Sequence, residues 1–319
     1  MLTRRNFLTG VIATGVLARS RPSFAKASQP ATPVNFYIPP HACDCHTHIY
    51  GDPGEFPLPS PPLYTPEATP PEEMSALHRA LHMERVVIVT PSAYGADNSA
   101  TLYGMKARGA NARGVAVIDD KTPESDLDAM SRAGVRGIRI ISGAAGPVDP
   151  PAARRRFQAA AERMKRLNWN IQMYTSLGVI SAIKDLVQTS PVPVVFDHFG
   201  GTQAALGLQQ PGFADLLDLV RSGKAYVKIS GAYRASTQAP DYPDVVPFAK
   251  ALIAANPDRI VWGTDWPHPN ASAIRKPTDV LQLYQIDDGR LLNQLAVWAP
   301  DPAVRKKILV DNPVRLYGF

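Results

Sequence analysis

A chain of 319 residues with 45% apolar and 19% charged side chains, 31 prolines, 22 glycines and two cysteines has a globular profile; disordered and collagen-like chains are excluded. The length suits one large core, since barrels of about 250 residues form single domains. The formal charge of +6 falls to +2 once Arg4, Arg5, Arg19 and Arg21 are set aside, so the remainder lacks the single-sign field that a phosphate backbone demands, and nucleic acid drops out as a partner.

Residues 1–25 read as an address. Thr3-Arg4-Arg5-Asn6-Phe7-Leu8 leads into an apolar run from Phe7 to Ala18 and the small-x-small site Ser23-Phe24-Ala25, which resembles a bacterial twin-arginine export signal. The run of 12 residues is short of the ~20 that a membrane span needs. The expectation is a periplasmic protein exported folded, with no membrane segment in its mature form, a linker over 26–41 and a catalytic domain over 42–319.

The first strand is expected over 42–50 (ACDCHTHIY), where a period of two puts Asp44, His46 and His48 on one face. Cys43 and Cys45 are spaced along the same strand with parallel Cβ directions, which opposes a disulfide and suits small packing residues. A proline-rich loop over 52–71, holding eight prolines, follows as a lid or wall. Further strands are expected over 86–91, 114–119, 137–142, 170–176, 192–198, 225–230 and 260–265, with amphipathic helical stretches such as 71–83, 122–133, 151–167, 212–222 and 244–255 between them. Strand then helix, eight times over, predicts an α/β fold, a closed parallel (β/α)8 TIM barrel. The doubly wound alternative would carry a Gly-rich phosphate turn after strand one, and none follows.

A barrel places its chemistry at the C-terminal ends of its strands. His46 and His48 of strand one, His198 after strand six and Asp265 after strand eight therefore converge on one mouth. There Asp265 could act as a general base, while the imidazoles polarise a carbonyl or hold a metal. Arg139 alternates with Ile138 and Ile140 and so points into the barrel, where an anionic ligand would relieve the cost of a buried guanidinium.

The motifs Asp44-x-His46-x-His48, Asp197-His198-x-Gly200 and Trp262-Gly263-Thr264-Asp265-Trp266-Pro267-His268-Pro269 resemble those of the amidohydrolase superfamily. Gly95-Ala96-Asp97-Asn98 and Gly134-Val135-Arg136-Gly137-Ile138-Arg139 also match its 2-pyrone-4,6-dicarboxylate lactonase branch, which is similar to galactarolactone isomerases and muconolactone-type hydrolases. The resemblance implies that His46, His48 and His198 polarise a lactone carbonyl and that Asp265 activates water. It also implies that Arg139 and Arg234 grip carboxylates, with Tyr64, Ser92 and Tyr174 lining the pocket.

Metal-dependent members add a carboxylated Lys or a Glu on strand four and a His on strand five; here those strands offer Arg139, and Gln172 with Tyr174. Hydrolysis without a cofactor is the expectation, and one zinc on His46, His48 and Asp265 the alternative. The branch's Arg after the Asp-His-x-Gly motif is Gly201 here, its His before Gly-Ala-Asp-Asn is Tyr94, and Ser142-Gly143-Ala144-Ala145-Gly146 stands where another basic residue is usual. A small anionic lactone, 2-pyrone-4,6-dicarboxylate-like or a sugar-acid lactone, and its hydroxy-acid product are the expected partners, and these departures favour one carboxylate over the pyrone dicarboxylate itself. A zinc hydrolase or decarboxylase, and a periplasmic small-acid binding protein without turnover, are the competing readings. The oligomeric state is left unknown by the sequence.

Overall fold

The computed structural model describes residues 27–142, 149–270, 276 and 279–319. Eight strands form one parallel sheet in sequence order: β1 (Cys43–Thr47), β2 (Arg85–Val89), β3 (Ala112–Ala116), β4 (Val135–Ser142), β5 (Asn170–Thr175), β6 (Val194–Phe196), β7 (Ala225–Ser230) and β8 (Ile260–Gly263). The ring closes where Thr47 bridges Trp266 in parallel, with His48 N donating to Trp266 O at 2.8 Å and Asp265 N to His46 O at 2.9 Å. Each of the eight expected strands is present. Between and after them run eight longer helices: α1 (Pro71–Ala80), α2 (Ser99–Arg108), α3 (Glu124–Arg132), α4 (Pro150–Lys165), α5 (Leu177–Gln188), α6 (Phe213–Arg221), α7 (Val246–Ala255) and α8 (Asp288–Trp298).

Runs such as Val86-Val87-Ile88-Val89 are apolar on both faces because a barrel strand is covered on both sides. Val86, Ile88, Ile138 and Ile140 join the helix-facing core. Cys43, Cys45, Val87, Val89, Val115, Val195 and Val261 fill the interior floor with Tyr317. Burying each such aliphatic side chain contributes roughly 1.5–3 kcal/mol. The two cysteines are free and buried. Helix α4 starts where Asp149 accepts from Ala152 N and proline occupies the first turn, the chemistry a helix N-terminus calls for.

One irregularity matters for everything above it. The pairing of β1 with β2 runs Asp44 to Val86 and then Thr47 to Ile88, so β1 carries an extra residue. This bulge breaks the expected alternation. Asp44 faces outward, where its carboxylate accepts from Thr264 N (3.0 Å), Thr264 Oγ1 (2.6 Å) and His46 N (3.1 Å) and meets His78 Nε2 of α1 at 3.2 Å. It clamps β1 to the end of β8 and does not share a face with His46 and His48, as simple alternation had it.

The loop 52–71 is tied back to the rest of the chain. Thr65–Pro66 pairs in parallel with Val280–Leu281, and Thr69 N donates to Tyr50 O at 2.7 Å. The segment expected as a linker lies against the barrel: Trp266 Nε1 donates to Ser28 O at 3.2 Å and Asn35 N to Asn293 Oδ1 at 2.8 Å. The proposed leader falls outside the described residues, as do residues 143–146. Among the described residues no helix is long and apolar enough to cross a membrane.

Candidate active site

Three strand ends build the centre. His46 and His48 come from β1 and its continuation, where the bulge turns both inward; His198 follows β6 and Asp265 follows β8. Asp265 (φ 69°) and His198 (φ 50°) both sit in the left-handed region, which costs a non-glycine residue about 1–2 kcal/mol. Gly231, at φ 57°, lies beside both: a Cβ there would come within 3.2 Å of Asp265 Oδ2 and 3.3 Å of His198 Nδ1.

The three imidazoles address a single oxygen. Asp265 Oδ1 is 3.6 Å from His46 Nε2, 3.6 Å from His48 Nε2 and 3.8 Å from His198 Nε2. These separations exceed hydrogen-bond length, and among the described residues neither Asp265 Oδ1 nor His46 Nε2, both buried, has a hydrogen-bond partner. The other carboxylate oxygen is engaged: Oδ2 accepts from Tyr233 Oη at 2.6 Å and from Arg234 Nε. Burial alone would raise the pKa of Asp265, but the Arg234 guanidinium outweighs it and holds the group well below the usual carboxylate range.

Each ring nitrogen facing away from Asp265 has its own neighbour. His48 Nδ1 donates to Val89 O at 2.7 Å, so the neutral ring presents a lone pair at Nε2. His198 Nδ1 lies 3.0 Å from Ser230 Oγ, and His46 Nδ1 lies 3.2 Å from Lys228 Nζ. Burial keeps all three rings neutral, lowering His198 to about 4, His46 well below its ordinary value and His48 below it too.

Arg139 points inward, as its alternation with Ile138 and Ile140 predicts. Its Nε comes within 3.4 Å of Asp197 Oδ2 without making a hydrogen bond, and its guanidinium lies 5.3 Å over the Tyr174 ring. Tyr174 in turn meets His198 edge-on at 5.3 Å. Arg234 is half-buried and pairs with Asp265, and its Nη2 donates to Pro269 O at 3.3 Å. Tyr64 Oη is 3.0 Å from Ser92 Oγ and 3.3 Å from Tyr50 Oη, and the Tyr50 ring stands 6.4 Å from His48. All nine residues singled out from sequence therefore lie in one connected cluster.

Four further participants escaped sequence reasoning. Lys228, on β7, is fully buried; Tyr233 and His268 are linked at 3.2 Å (Oη to Nδ1), and His268 Nε2 lies 2.9 Å from the buried Asp288. Lys228 alternates with Val227 and Ile229, the same signal that exposed Arg139, and could have been found the same way. Asp288 could not, since only the fold brings the start of α8 to this place.

Two departures from the resemblance gain a physical reason. Gly201 holds φ 75° and a Cβ on it would sit 2.1 Å from Thr175 O, so no arginine fits that backbone. Tyr94 is buried in the wall, where its Oη accepts from Gly51 N at 2.9 Å. Among the described residues two trios could hold a metal ion by proximity of donor atoms: His46, His48 and Asp265, and His46, Asp197 and His198.

A family model described as amidohydrolase matches residues 43–319. The chain is 35% identical over 291 residues to a 4-sulfomuconolactone hydrolase of Rhizobium radiobacter, covering 90% of this chain and 93% of that one. It is 33% identical over 303 residues to a 2-pyrone-4,6-dicarboxylate hydrolase of Comamonas testosteroni, covering 92% and 94%. An apo crystal structure from Agrobacterium tumefaciens superposes with a TM-score of 0.75 at 30% identity, covering 90% of this chain and 98% of that one.

Proposed function

Since the chain belongs to the amidohydrolase family, we propose that it is a hydrolase that opens a lactone bearing an acidic group, by attack of water on the ring ester carbonyl. The observation that carries this reading is the bare Asp265 Oδ1, buried among three imidazole nitrogens at 3.6–3.8 Å, in a site that also holds the guanidinium of Arg139, whose Nε makes no hydrogen bond. A water in that space donates to Asp265 Oδ1 and to the lone pair of His48 Nε2. Asp265 takes its proton as the water oxygen bonds to the carbonyl carbon. His46 and His198 stabilise the developing oxyanion, and the ring oxygen leaves with the proton held by Asp265, giving a hydroxy acid. His48 serves the water in this scheme rather than the carbonyl, because its Nδ1 proton is committed to Val89.

The buried charges favour an anionic substrate. Around the three histidines the cations Arg139, Lys228 and Arg234 face two carboxylates, Asp197 and Asp265, with Asp288 set farther back against His268. The backbone at Gly201 and the packed Tyr94 remove two sites for further anion contacts. A lactone with a single carboxylate or sulfonate, or a sugar-acid lactone, suits that balance better than a dicarboxylate.

Zinc is the second reading, favoured by the unpartnered His46 Nε2 and Asp265 Oδ1 beside His48 Nε2. The number of donors is sufficient, but their surroundings do not fit: an ammonium lies against His46, a guanidinium pairs with Asp265, and Gln172 and Arg139 occupy the strands that would complete the set. The proposed reaction is therefore metal-independent. Hydrolysis of a panel of acidic lactones, before and after chelation and with metal content measured, tests both readings. Turnover that persists without metal supports the proposal; turnover lost with about one zinc per chain replaces it with zinc hydrolysis. Tight binding of the acids with no turnover would make the protein a binding protein instead. We also propose that the protein works in the periplasm after twin-arginine export, which a precursor left unshortened in the cytoplasm would contradict.

A further inference from the structure

Lys228 has no role in the scheme above, yet it is one of the most buried charged side chains of the barrel and lies directly behind His46. Its Nζ donates to Gln172 Oε1 at 2.5 Å, lies 3.5 Å from Asp197 Oδ1 and approaches His46 Nδ1 at 3.2 Å. The Gln172 amide is oriented by its other end, since its Nε2 donates to Asp197 Oδ2 at 3.1 Å; its oxygen must therefore face Lys228. With a carboxylate at 3.5 Å and an amide oxygen at 2.5 Å, Nζ is placed as an ammonium.

An ammonium has donors only. A proton on His46 Nδ1 would set two N–H groups against each other at 3.2 Å, whereas a lone pair there accepts from Lys228. Asp197 Oδ1 lies 3.4 Å from His46 Nδ1, farther than Lys228 Nζ, and makes no hydrogen bond to it. We infer that Lys228 is a positioning residue that fixes the tautomer of His46, occupying the Nδ1 lone pair so that the ring carries its proton on Nε2 and aims it into the mouth. His46 and His48 stand equally far from Asp265 Oδ1, yet the two rings are of opposite polarity. His48, tied to Val89, accepts from the water; His46, backed by Lys228, donates to the carbonyl oxygen. A proton on Nε2 also removes His46 from the set of available metal ligands.

The assignment of roles to carbonyl and water rests on the lactone reading; the tautomer does not. Long-range proton–nitrogen correlation spectra of the mature protein labelled with 15N-histidine, with His46 assigned by loss of its signals in His46→Asn, read the ring directly. The expected result is a protonated Nε2 and a bare Nδ1, and the opposite pattern overturns the inference. In Lys228→Met the His46 ring should shift toward the Nδ1-protonated form, and an unchanged ring would overturn it equally. Turnover of a lactone substrate should fall about 100-fold in kcat with KM changed less than about threefold, the signature of a donor used in the transition state. If Lys228→Met does not fold, the wild-type ring alone decides. A protein with protonated Nε2 that opens no lactone refutes the lactone reading and leaves the tautomer standing, and a lactonase with protonated Nδ1 does the reverse.

Discussion

Tyr233 donates its hydroxyl to one oxygen of Asp265 at 2.6 Å, while the other oxygen of that carboxylate has no hydrogen bond although it is equally buried. The asymmetry aims the carboxylate: Oδ2 is anchored by Tyr233 and Arg234, and Oδ1 is left for the reaction. Tyr233→Phe removes one anchor and leaves His268 Nδ1 without its 3.2 Å neighbour. Stability should fall by about 1–3 kcal/mol in denaturant titrations, the cost of an orphaned buried polar group. kcat should drop more than KM rises; an unchanged kcat would mean that Arg234 alone holds the geometry.

Asp265→Asn keeps the volume and removes the base. Lactone turnover should fall by about 10²–10⁴-fold, the range typical of a lost general base. Arg234 also loses its counter-charge at Oδ2, so the variant should unfold at lower denaturant than wild type. Circular dichroism of the variant must still show the barrel for the rate to be read; retention of wild-type turnover would remove Asp265 from the mechanism.

Arg139→Met tests the anionic substrate. Its guanidinium is largely buried with Nε unpartnered, so its loss should raise KM for an acidic lactone by at least about tenfold, matching about 1.4 kcal/mol of charge-assisted pairing. A neutral lactone of the same ring should be much less affected. Equal losses on both would assign Arg139 to holding Asp197 rather than to the substrate.

Gly231→Ala puts a methyl group 3.2 Å from Asp265 Oδ2 and 3.3 Å from His198 Nδ1, at a φ of 57°. The backbone conformation alone should cost about 1–2 kcal/mol. Because the methyl presses on the base and on one of the two imidazoles that face the developing oxyanion, activity should fall further than stability does. Thermal melts together with kcat separate the two effects, and a loss of stability without a loss of rate would show that the neighbours move aside.

Acid should destabilise the protein well above the carboxylate range. His198 titrates near 4 in the folded barrel because burial disfavours its charged form, against about 6.5 in the unfolded chain. Between those values the unfolded state binds a proton that the native state does not, so stability is complete above about pH 6.5 and declines as pH falls toward 4. At 1.36 kcal/mol per unit this one ring accounts for about 3 kcal/mol, and His46 and His48, lowered for the same reason, add to it. Chemical denaturation at pH 7.5, 5.5 and 4.5 measures the slope, and a flat profile would mean that the rings are protonated in the native state.

Much of this architecture was legible in the chain because it depends on short-range periodicity. Eight β-branched runs, separated by stretches with a helical period, need only local hydrophobic spacing to declare a barrel, and its strand ends name His46, His48, His198 and Asp265. The inward turn of Arg139 followed from its two isoleucine neighbours. Where the local pattern was broken, so was the reading: the extra residue in β1 sends Asp44 out toward His78 and Thr264 and brings Cys45 and His46 successively inward, which alternation by two cannot anticipate.

The polarity of the site belongs to the tertiary structure alone. Tyr233 and Asp265 are 32 positions apart, Lys228 and His46 182; the pairing of β7 with β8 brings the first pair within hydrogen-bond reach and closure of the barrel onto β1 the second. Composition and spacing identify which titratable groups meet at the mouth. Which nitrogen carries a proton, and which carboxylate oxygen is free, depends on contacts made across the barrel, since a buried donor or acceptor takes its state from the one atom facing it.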